Sequence, residues 1–430
     1  MTTIRLGVLG CGNVGAALVR LVGEQADAIE ARSGVRLEVA KVAVRNLSAQ
    51  RAVALPEGVL TRDAAAVVAD PDIDMVIELI GGIEPARELI TTALRNGKPV
   101  VTGNKELLAN VGAELFAVAE ECGVDLLFEA AVAGGIPVVR ALRESLLGEP
   151  ISRVMGIING TTNFILTKMT EEGTDYTAAL AEAQALGYAE RDPTADVEGF
   201  DAGAKAAIIA TIAFGSKVVA GDVYHEGISR VSAHDISMAT RLGYVVKLLG
   251  IAEADAASGD VAVRVHPTLV PNTHPLASVR SSFNAVFVEG EAVGSLMFYG
   301  RGAGGAPTAS AVLGDVVAVA RHIVAGSKGP AESDYADLGI APKGASITKY
   351  AIRMAVHDKP GVLANVANTF ASEDVSIQTV RQAGRGSEAE LIVATHAASD
   401  SALSATVKEL SGNSSVKNVE SVLRIEGVVN

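Results

Sequence analysis

Residues 4–15 read IRLGVLGCGNVG, an apolar run from Ile4 to Leu9 followed by Gly10, Gly12 and Gly15 in G-x-G-x-x-G spacing. Apolar residues at helical spacing continue from Ala16 to Arg32. A strand that runs into a glycine turn at the mouth of a helix is the setting in which this spacing binds a dinucleotide. The first glycine permits the tight turn, the second lets backbone amides approach a pyrophosphate, and the third lets helix and strand pack. Free N–H groups at the helix start, in the loop that also holds Asn13 and Val14, then carry the anion. Leu37–Val44, Met75–Ile80, Pro99–Thr102 and Val124–Phe128 read as further buried strands, separated by helical stretches such as Pro85–Asn96 and Lys105–Glu121. This alternation predicts a parallel sheet covered on both faces, so residues 1–133 read as a doubly wound α/β domain for a dinucleotide. The second strand ends in Val42-Ala43-Val44-Arg45-Asn46, with Arg45 where an NAD site offers Asp or Glu to the ribose. A guanidinium there pairs with a 2′-phosphate, which predicts that NADP is preferred and NAD possible.

Residues 134–307 change character. Val138–Leu147, Tyr176–Leu186 and Ala202–Phe214 read as helices, and Val154–Ile158, Val261–Pro267 and Ala285–Val288 as strands, an α+β substrate domain with a mixed sheet. The glycine-rich turn Gly302–Pro307 leads into a helix over Thr308–Val324, expected to return to the first domain and complete it. Residues 326–346, rich in Gly, Pro, Ser and Asp, read as a linker. Within residues 347–430 the order is βαββαβ, a ferredoxin-like unit.

The chain has 430 residues, which at ~100–200 per domain predicts two to four domains. A net charge of −14 disfavours nucleic acid and anionic membrane as partners. No uninterrupted apolar run reaches the ~20 residues of a bilayer span, and Cys11 and Cys122 are too few for a disulfide framework. A soluble cytoplasmic protein is expected. No Cys/His cluster has zinc spacing.

The densest polar stretch is residues 183–205, AQALGYAERDPTADVEGFDAGAK, in which Asp201 and Lys205 stand at i and i+4 at the head of an otherwise apolar helix. Spacing alone leaves a surface ion pair open. The segment resembles, without a gap, the signature of homoserine dehydrogenases: Ala183, Gly187, Asp192-Pro193, Asp196, Gly199, Asp201 and Lys205. The glycine loop, Thr102-Gly103-Asn104-Lys105, Asn159-Gly160-Thr161-Thr162-Asn163 and Gly302–Pro307 are similar to the same family, as is the C-terminal unit, which resembles an ACT domain at Asp358-Lys359-Pro360-Gly361-Val362-Leu363. The likeness extends over essentially the whole chain.

The resemblance implies NAD(P)-dependent interconversion of L-homoserine and L-aspartate 4-semialdehyde, on the route to threonine, methionine and isoleucine. It implies Lys205 as the acid/base and Lys105 at the nicotinamide end of the cofactor, itself a candidate for proton transfer. Which lysine moves the proton stays open. It places Gly302 with the cofactor-binding residues, and Gly187, Glu190 and Asp201 at the substrate, where an anionic pair suits an α-ammonium. It implies a monovalent cation, generally sodium, at Glu129, Val132, Gly134 and Ile136; one carboxylate with backbone carbonyls suits a hard, weakly held ion. It implies L-threonine as a feedback effector at Asp358 and Gly361, and a homodimer or homotetramer paired through residues 134–307. An alternative stays open on the residues alone, a non-enzymatic sensor that binds NADP and amino acids without turnover.

Overall fold

The computed structural model describes residues 2–255, 258–330, 338–384, 386 and 389–427. In chain order its elements are β1 (Thr2–Leu9), α1 (Asn13–Glu24), α2 (Ala26–Ser33), β2 (Val35–Ala43), β3 (Leu60–Thr61), α3 (Ala64–Ala69), β4 (Met75–Glu78), α4 (Ala86–Arg95), β5 (Val100–Thr102), α5 (Lys105–Cys122) and β6 (Leu126–Leu127). Then come β7 (Ile151–Ile157), α6 (Gly160–Glu172), α7 (Tyr176–Ala185), α8 (Thr194–Val197), α9 (Phe200–Phe214), β8 (Tyr224–His225), α10 (Ala233–Arg241), β9 (Tyr244–Ala254) and β10 (Val261–Pro271). The last are β11 (Phe283–Gly290), β12 (Gly294–Arg301), α11 (Gly305–Ala325), β13 (Ile347–Val356), α12 (Val362–Ser372), β14 (Ile377–Ala383), β15 (Glu390–Thr395), β16 (Ala398–Ser399), α13 (Asp400–Gly412) and β17 (Val416–Ile425).

The chain divides into two compact units: Met1–Gly160 with Asp201–Val223 and Ser282–Leu338, and Thr161–Phe200 with Tyr224–Ser281 and Gly339–Asn430. In the first unit six parallel strands run in the order β3-β2-β1-β4-β5-β6. This is the order of a two-halved dinucleotide fold, whose ligand crevice opens where the order reverses, here between β1 and β4. Ile4, Leu6 and Val8 of β1 pack with Leu18 and Val22 of α1 and with Val312, Val316 and Val319 of α11. Each fully buried valine or leucine contributes roughly 1.5–3 kcal/mol, which is what keeps α11 on this sheet. A second, antiparallel sheet in this unit runs β12-β11-β7. The segment 134–307 is thus shared between the two units.

The second unit carries a mixed sheet in the order β9-β10-β17-β13-β15-β14, with β10 and β17 parallel and the other neighbours antiparallel. Its C-terminal part is the βαββαβ unit, closed by Tyr350, Ile352 and Met354 of β13 against Phe370 of α12 and Leu403 and Leu410 of α13.

Three local expectations differ. The helix expected over Ala16–Arg32 breaks at Gln25 into α1 and α2, because the buried apolar face ends at Val22 and α2 buries nothing. The helix expected over Val138–Leu147 is present but short, helical over residues 139–145, with a wide turn at Ala141–Ser145. By length and composition α11, with 21 residues, is apolar enough to cross a bilayer, but its fully buried face is part of the domain core. The expected linker 326–346 falls in part on 331–337, outside the described residues.

Candidate active site

The polar centre of the first unit is Asp201, one residue into α9 and buried. Its Oδ1 accepts from Lys105 Nζ and its Oδ2 from Lys205 Nζ at 2.7 Å and Asn159 Nδ2 at 2.9 Å. Lys205 Nζ donates also to the Ile158 carbonyl at 2.9 Å. Burial works to raise the Asp201 carboxyl, but the charges of Lys205 and Lys105 outweigh it and hold the group well below the usual carboxylate range. Two cations therefore share one anion.

Lys105 is aimed by a chain of local bonds. Glu78, buried at the end of β4, accepts from Thr102 Oγ1 at 2.6 Å, and Thr102 Oγ1 accepts from the Asn104 amide at 3.0 Å. Asn104 caps α5, its Oδ1 taking the Leu107 amide at 3.1 Å, and its Nδ2 donates to Gly82 O at 2.7 Å. Lys105 is then the first residue of the helix. The i, i+4 spacing that sets Lys205 beside Asp201 was legible in the sequence; the reach of Lys105 across 96 positions was not. Asn159, quoted only as part of a motif, proves to bind the central carboxylate.

The glycine loop sits at the carboxyl end of β1. Gly10 has φ +98, and a Cβ there would lie 2.6 Å from the Leu79 carbonyl after β4; one on Gly15 would lie 2.4 Å from Gly10 O. A Cβ on Gly12 would meet nothing within 4 Å, and Gly12 precedes α1 with no side-chain cap. The uncapped amides and the open space beside them form a cradle that fits a pyrophosphate. Gly305 at the head of α11 approaches this loop so closely that a Cβ would lie 3.0 Å from Asn13 O. Arg45 is exposed just past β2.

Three family models match this chain: homoserine dehydrogenase, NAD binding domain, over residues 10–129; homoserine dehydrogenase over 137–317; and ACT domain over 350–412. The homoserine dehydrogenase of Corynebacterium glutamicum is 53% identical over 428 residues, 99% of this chain and 96% of that protein. The chain belongs to the homoserine dehydrogenases. The crystal structure of a homoserine dehydrogenase from Thiobacillus denitrificans superposes with a TM-score of 0.93 at 42% identity, covering 99% of this chain and 98% of that one. A hyperthermophilic archaeal homoserine dehydrogenase, solved in complex with NADPH, matches 74% of this chain and 97% of its own with a TM-score of 0.61 at 27% identity. Membership makes the dehydrogenase an oxidoreductase with NAD-binding and ACT domains, and it sets aside the sensor without turnover.

The remaining anticipated residues of this homoserine dehydrogenase lie as follows. Glu129 is buried, and its carboxylate accepts the amides of Val139 and Arg140, both at 2.8 Å. Burial raises its pKa. Asp315 on α11 accepts the Glu129 amide at 2.8 Å and Arg140 Nη2 at 2.7 Å, and burial pushes its carboxyl up to about 7. The turn that follows brings Gly134, at φ +55, against the Gly302 carbonyl, 2.3 Å from where a Cβ would stand. Among the described residues, no backbone amide donates to the carbonyls of Val132 or Gly134, while Ile136 O accepts Val138 N at 2.9 Å. In the second unit Gly187, at φ +75, ends the turn after α7, and Glu190 is exposed with its carbonyl held by Gln184 Nε2 at 3.0 Å. Gly361, at φ +89, opens α12 without a side-chain cap, and exposed Asp358 accepts the Gly386 amide at 2.8 Å.

Proposed function

We propose that this enzyme interconverts L-homoserine and L-aspartate 4-semialdehyde with NADP as the favoured nicotinamide cofactor, and that Lys205 and Lys105 manage the proton. The observation that carries the reading is the clasp of one buried carboxylate by both lysines. When bound, the cofactor accepts hydride from the carbinol carbon of homoserine or returns it to the aldehyde. As hydride leaves, the hydroxyl must lose its proton and the oxygen carries developing negative charge. Two lysines on one carboxylate leave a positive site suited to stabilising that charge: in oxidation one of them, as the neutral amine, takes the hydroxyl proton, and in reduction the same group, as ammonium, returns it to the aldehyde oxygen. Asp201 aligns the two Nζ atoms. Glu190 and Asp201 together would offer the substrate α-ammonium an anionic pair, and Gly187 allows close approach.

The glycine-loop residues Gly10, Gly12, Asn13, Val14 and Gly15 would hold the pyrophosphate, with Gly302 beside them and Arg45 at the 2′-phosphate; the NADPH carried by the archaeal relative supports this. The Glu129 carboxylate with the Val132, Gly134 and Ile136 carbonyls offers hard oxygen donors that fit sodium. Asp358 and the uncapped turn at Gly361 would take the carboxylate and ammonium of L-threonine as feedback effector. We place the enzyme in the cytoplasm, where free Cys11 and Cys122 persist, as a homodimer or homotetramer. The test follows absorbance of the reduced cofactor with L-homoserine, varying NADP and NAD, with and without L-threonine. Arg45→Ala should raise the KM for NADP about tenfold and leave that for NAD unchanged; equal effects on both would remove Arg45 from the cofactor site.

A further inference from the structure

Residues 225–228 lie directly against the signature segment in the second unit. The Ile228 amide donates to Val197 O at 2.8 Å. A Cβ on Gly227 would come within 2.2 Å of that carbonyl oxygen and 2.5 Å of Glu198 Cα, so backbone meets backbone with no room for a side chain. Gly199, at φ +85, faces Val265, Glu226 O and His225 Cβ, and the Phe200 ring packs 4.3 Å from that of His225. Any shift of 225–228 is therefore transmitted to 197–200, the four residues that precede Asp201 in the chain.

Residues 225–228 are held on one side by β10, where the Glu226 amide donates to Val265 O at 2.8 Å, and on the other by the C-terminal βαββαβ unit. β9 takes one edge of β10 along its whole length. The other edge is shared: β8 pairs at Arg264 and Val265, and β17 pairs at Thr268 and Leu269 through Arg424 and Ile425. End-to-end use of one edge brings Arg424 to Glu226. Arg424 Nη1 donates to Glu226 Oε2 at 3.1 Å, and its Nε to Asp400 Oδ1 at 3.1 Å. The guanidinium lies 5.5 Å from the Tyr224 ring centre and 5.4 Å from that of Tyr350. Each ring also serves a carboxylate, Tyr224 OH donating to Glu226 at 3.1 Å and Tyr350 OH to Asp400 at 2.7 Å. Arg424 and Asp400 are buried. Asp400 is the first residue of α13, which packs on α12, the helix that opens at Gly361.

We propose that Arg424 and Glu226 are positioning residues for the substrate segment: their ion pair fixes 225–228, and through them 197–200 ahead of Asp201, so that the C-terminal module both supports the site and acts on it. The proposal rests on reading 187–201 as the substrate segment. A guanidinium is a rigid fork, so its two carboxylates cannot move independently. An amino acid that orders the turn at Gly361 moves α12 against α13; Asp400 then turns the Arg424 plane, and Glu226 follows. Contiguity of this kind is a route for coupling, and measured coupling is what establishes it.

The test uses the full-length enzyme and steady-state kinetics. Glu226→Gln keeps shape and acceptor while removing the charge, and should raise the KM for L-homoserine about tenfold with kcat held within about twofold. The KM for NADP should not move. Arg424→Lys keeps the charge and loses the fork, and should show the same split; the double variant should be no worse than the worse single, because the pair acts as a unit. The L-threonine concentration giving half inhibition should rise at least threefold in Glu226→Gln, by about the differential the pair transmits. Glu190→Gln is the control on the underlying reading. If it leaves the homoserine KM unchanged, the substrate segment has been misassigned. If it raises that KM and Glu226→Gln does not, positioning by Arg424 is overturned, as it is by strictly additive variants or by a parallel rise in the KM for NADP. Equal half-inhibition in wild type and Glu226→Gln, or a wild type indifferent to threonine, overturns the effector route.

Discussion

Two lysines largely withdrawn from solvent, one half-buried and one fully buried, receive opposite treatment in this molecule. Lys205, in the first unit, has a carboxylate 2.7 Å away and shares it with Lys105. Lys247, on β9 in the second unit, is only 2% exposed, and its hydrogen bonds run to neutral oxygens, Asn163 Oδ1 at 2.9 Å and Val279 O at 2.5 Å. Burial draws the Lys247 ammonium down to about 8 from the ordinary 10.5. Around Asp201 the opposite holds, since two nearby cations keep a buried carboxylate ionised against burial. Desolvation acts alike in both places; the charge of the nearest partner decides whether a buried group keeps its ionic form. The first arrangement keeps the buried carboxylate charged, the second ties a loop.

The sharpest way to break the comparison is to remove the lysine that the carboxylate holds. Lys205→Ala should lower kcat for homoserine oxidation by roughly 10²–10⁴, the span of general acid–base catalysis, with the KM for NADP unchanged. Lys105→Ala measured beside it decides which amine carries the proton, because the larger loss in kcat belongs to that group. If both variants keep kcat within about twofold, neither lysine transfers the proton in the slow step.

Next in size is the anchor itself. Asp201→Asn removes the anion and leaves two ammonium groups facing each other. Breaking a buried pair costs ~3–5 kcal/mol; because the Lys105 side chain is 43% exposed, about 2–3 kcal/mol is expected by denaturant unfolding. The sign of the pH dependence is fixed by the direction of the shift. A carboxyl held below its unfolded value of 3.8 contributes stability that is fully present above that value and is lost as pH falls through the folded one. The gap between wild type and Asp201→Asn should thus be constant near neutrality and close only in acid. A gap that narrows between pH 5 and 7 would mean the lysines do not hold Asp201 ionised.

The contrast also shows what a sequence can display. The glycine loop is legible because sterics force it: Gly10 and Gly15 stand where any Cβ would strike a carbonyl. Lys205 is legible as the i+4 neighbour of Asp201, a property of the helix alone. The Lys105–Asp201 pair is not, since it depends on how α5 and α9 are placed in the folded chain. Likewise Lys247 interrupts the apolar run of β9, Tyr244–Ala254, and by pattern marks a solvent-facing position; it is buried because Asn163 and the Val279 carbonyl accept its protons. Local periodicity cannot announce such a partner. The charge of Asp201 is likewise legible, while the neighbours that surround it, Lys105 and Asn159, are not.

The smallest effect sharpens the second half of the comparison. A lysine with folded pKa near 8 against 10.5 unfolded binds fewer protons in the native state between those values, so its cost to folding is complete below pH 8 and is relieved as pH rises toward 10.5. At ~1.4 kcal/mol per pH unit the ceiling on that relief is about 3 kcal/mol. Lys247→Met removes the titrating group while filling the space, and Asn163 keeps its own bonds from Nδ2 to Ser281 O at 2.9 Å and Val279 O at 3.3 Å. The difference in stability between variant and wild type, measured by denaturant unfolding at a series of pH values, should therefore favour the variant most near neutrality. It should shrink by about 1–3 kcal/mol on moving from pH 8 to pH 10. A pH-independent difference would show that Lys247 stays fully protonated in the native state, and that a neutral amide and a carbonyl can hold a buried ammonium as firmly as the carboxylate of Asp201 holds its own pair.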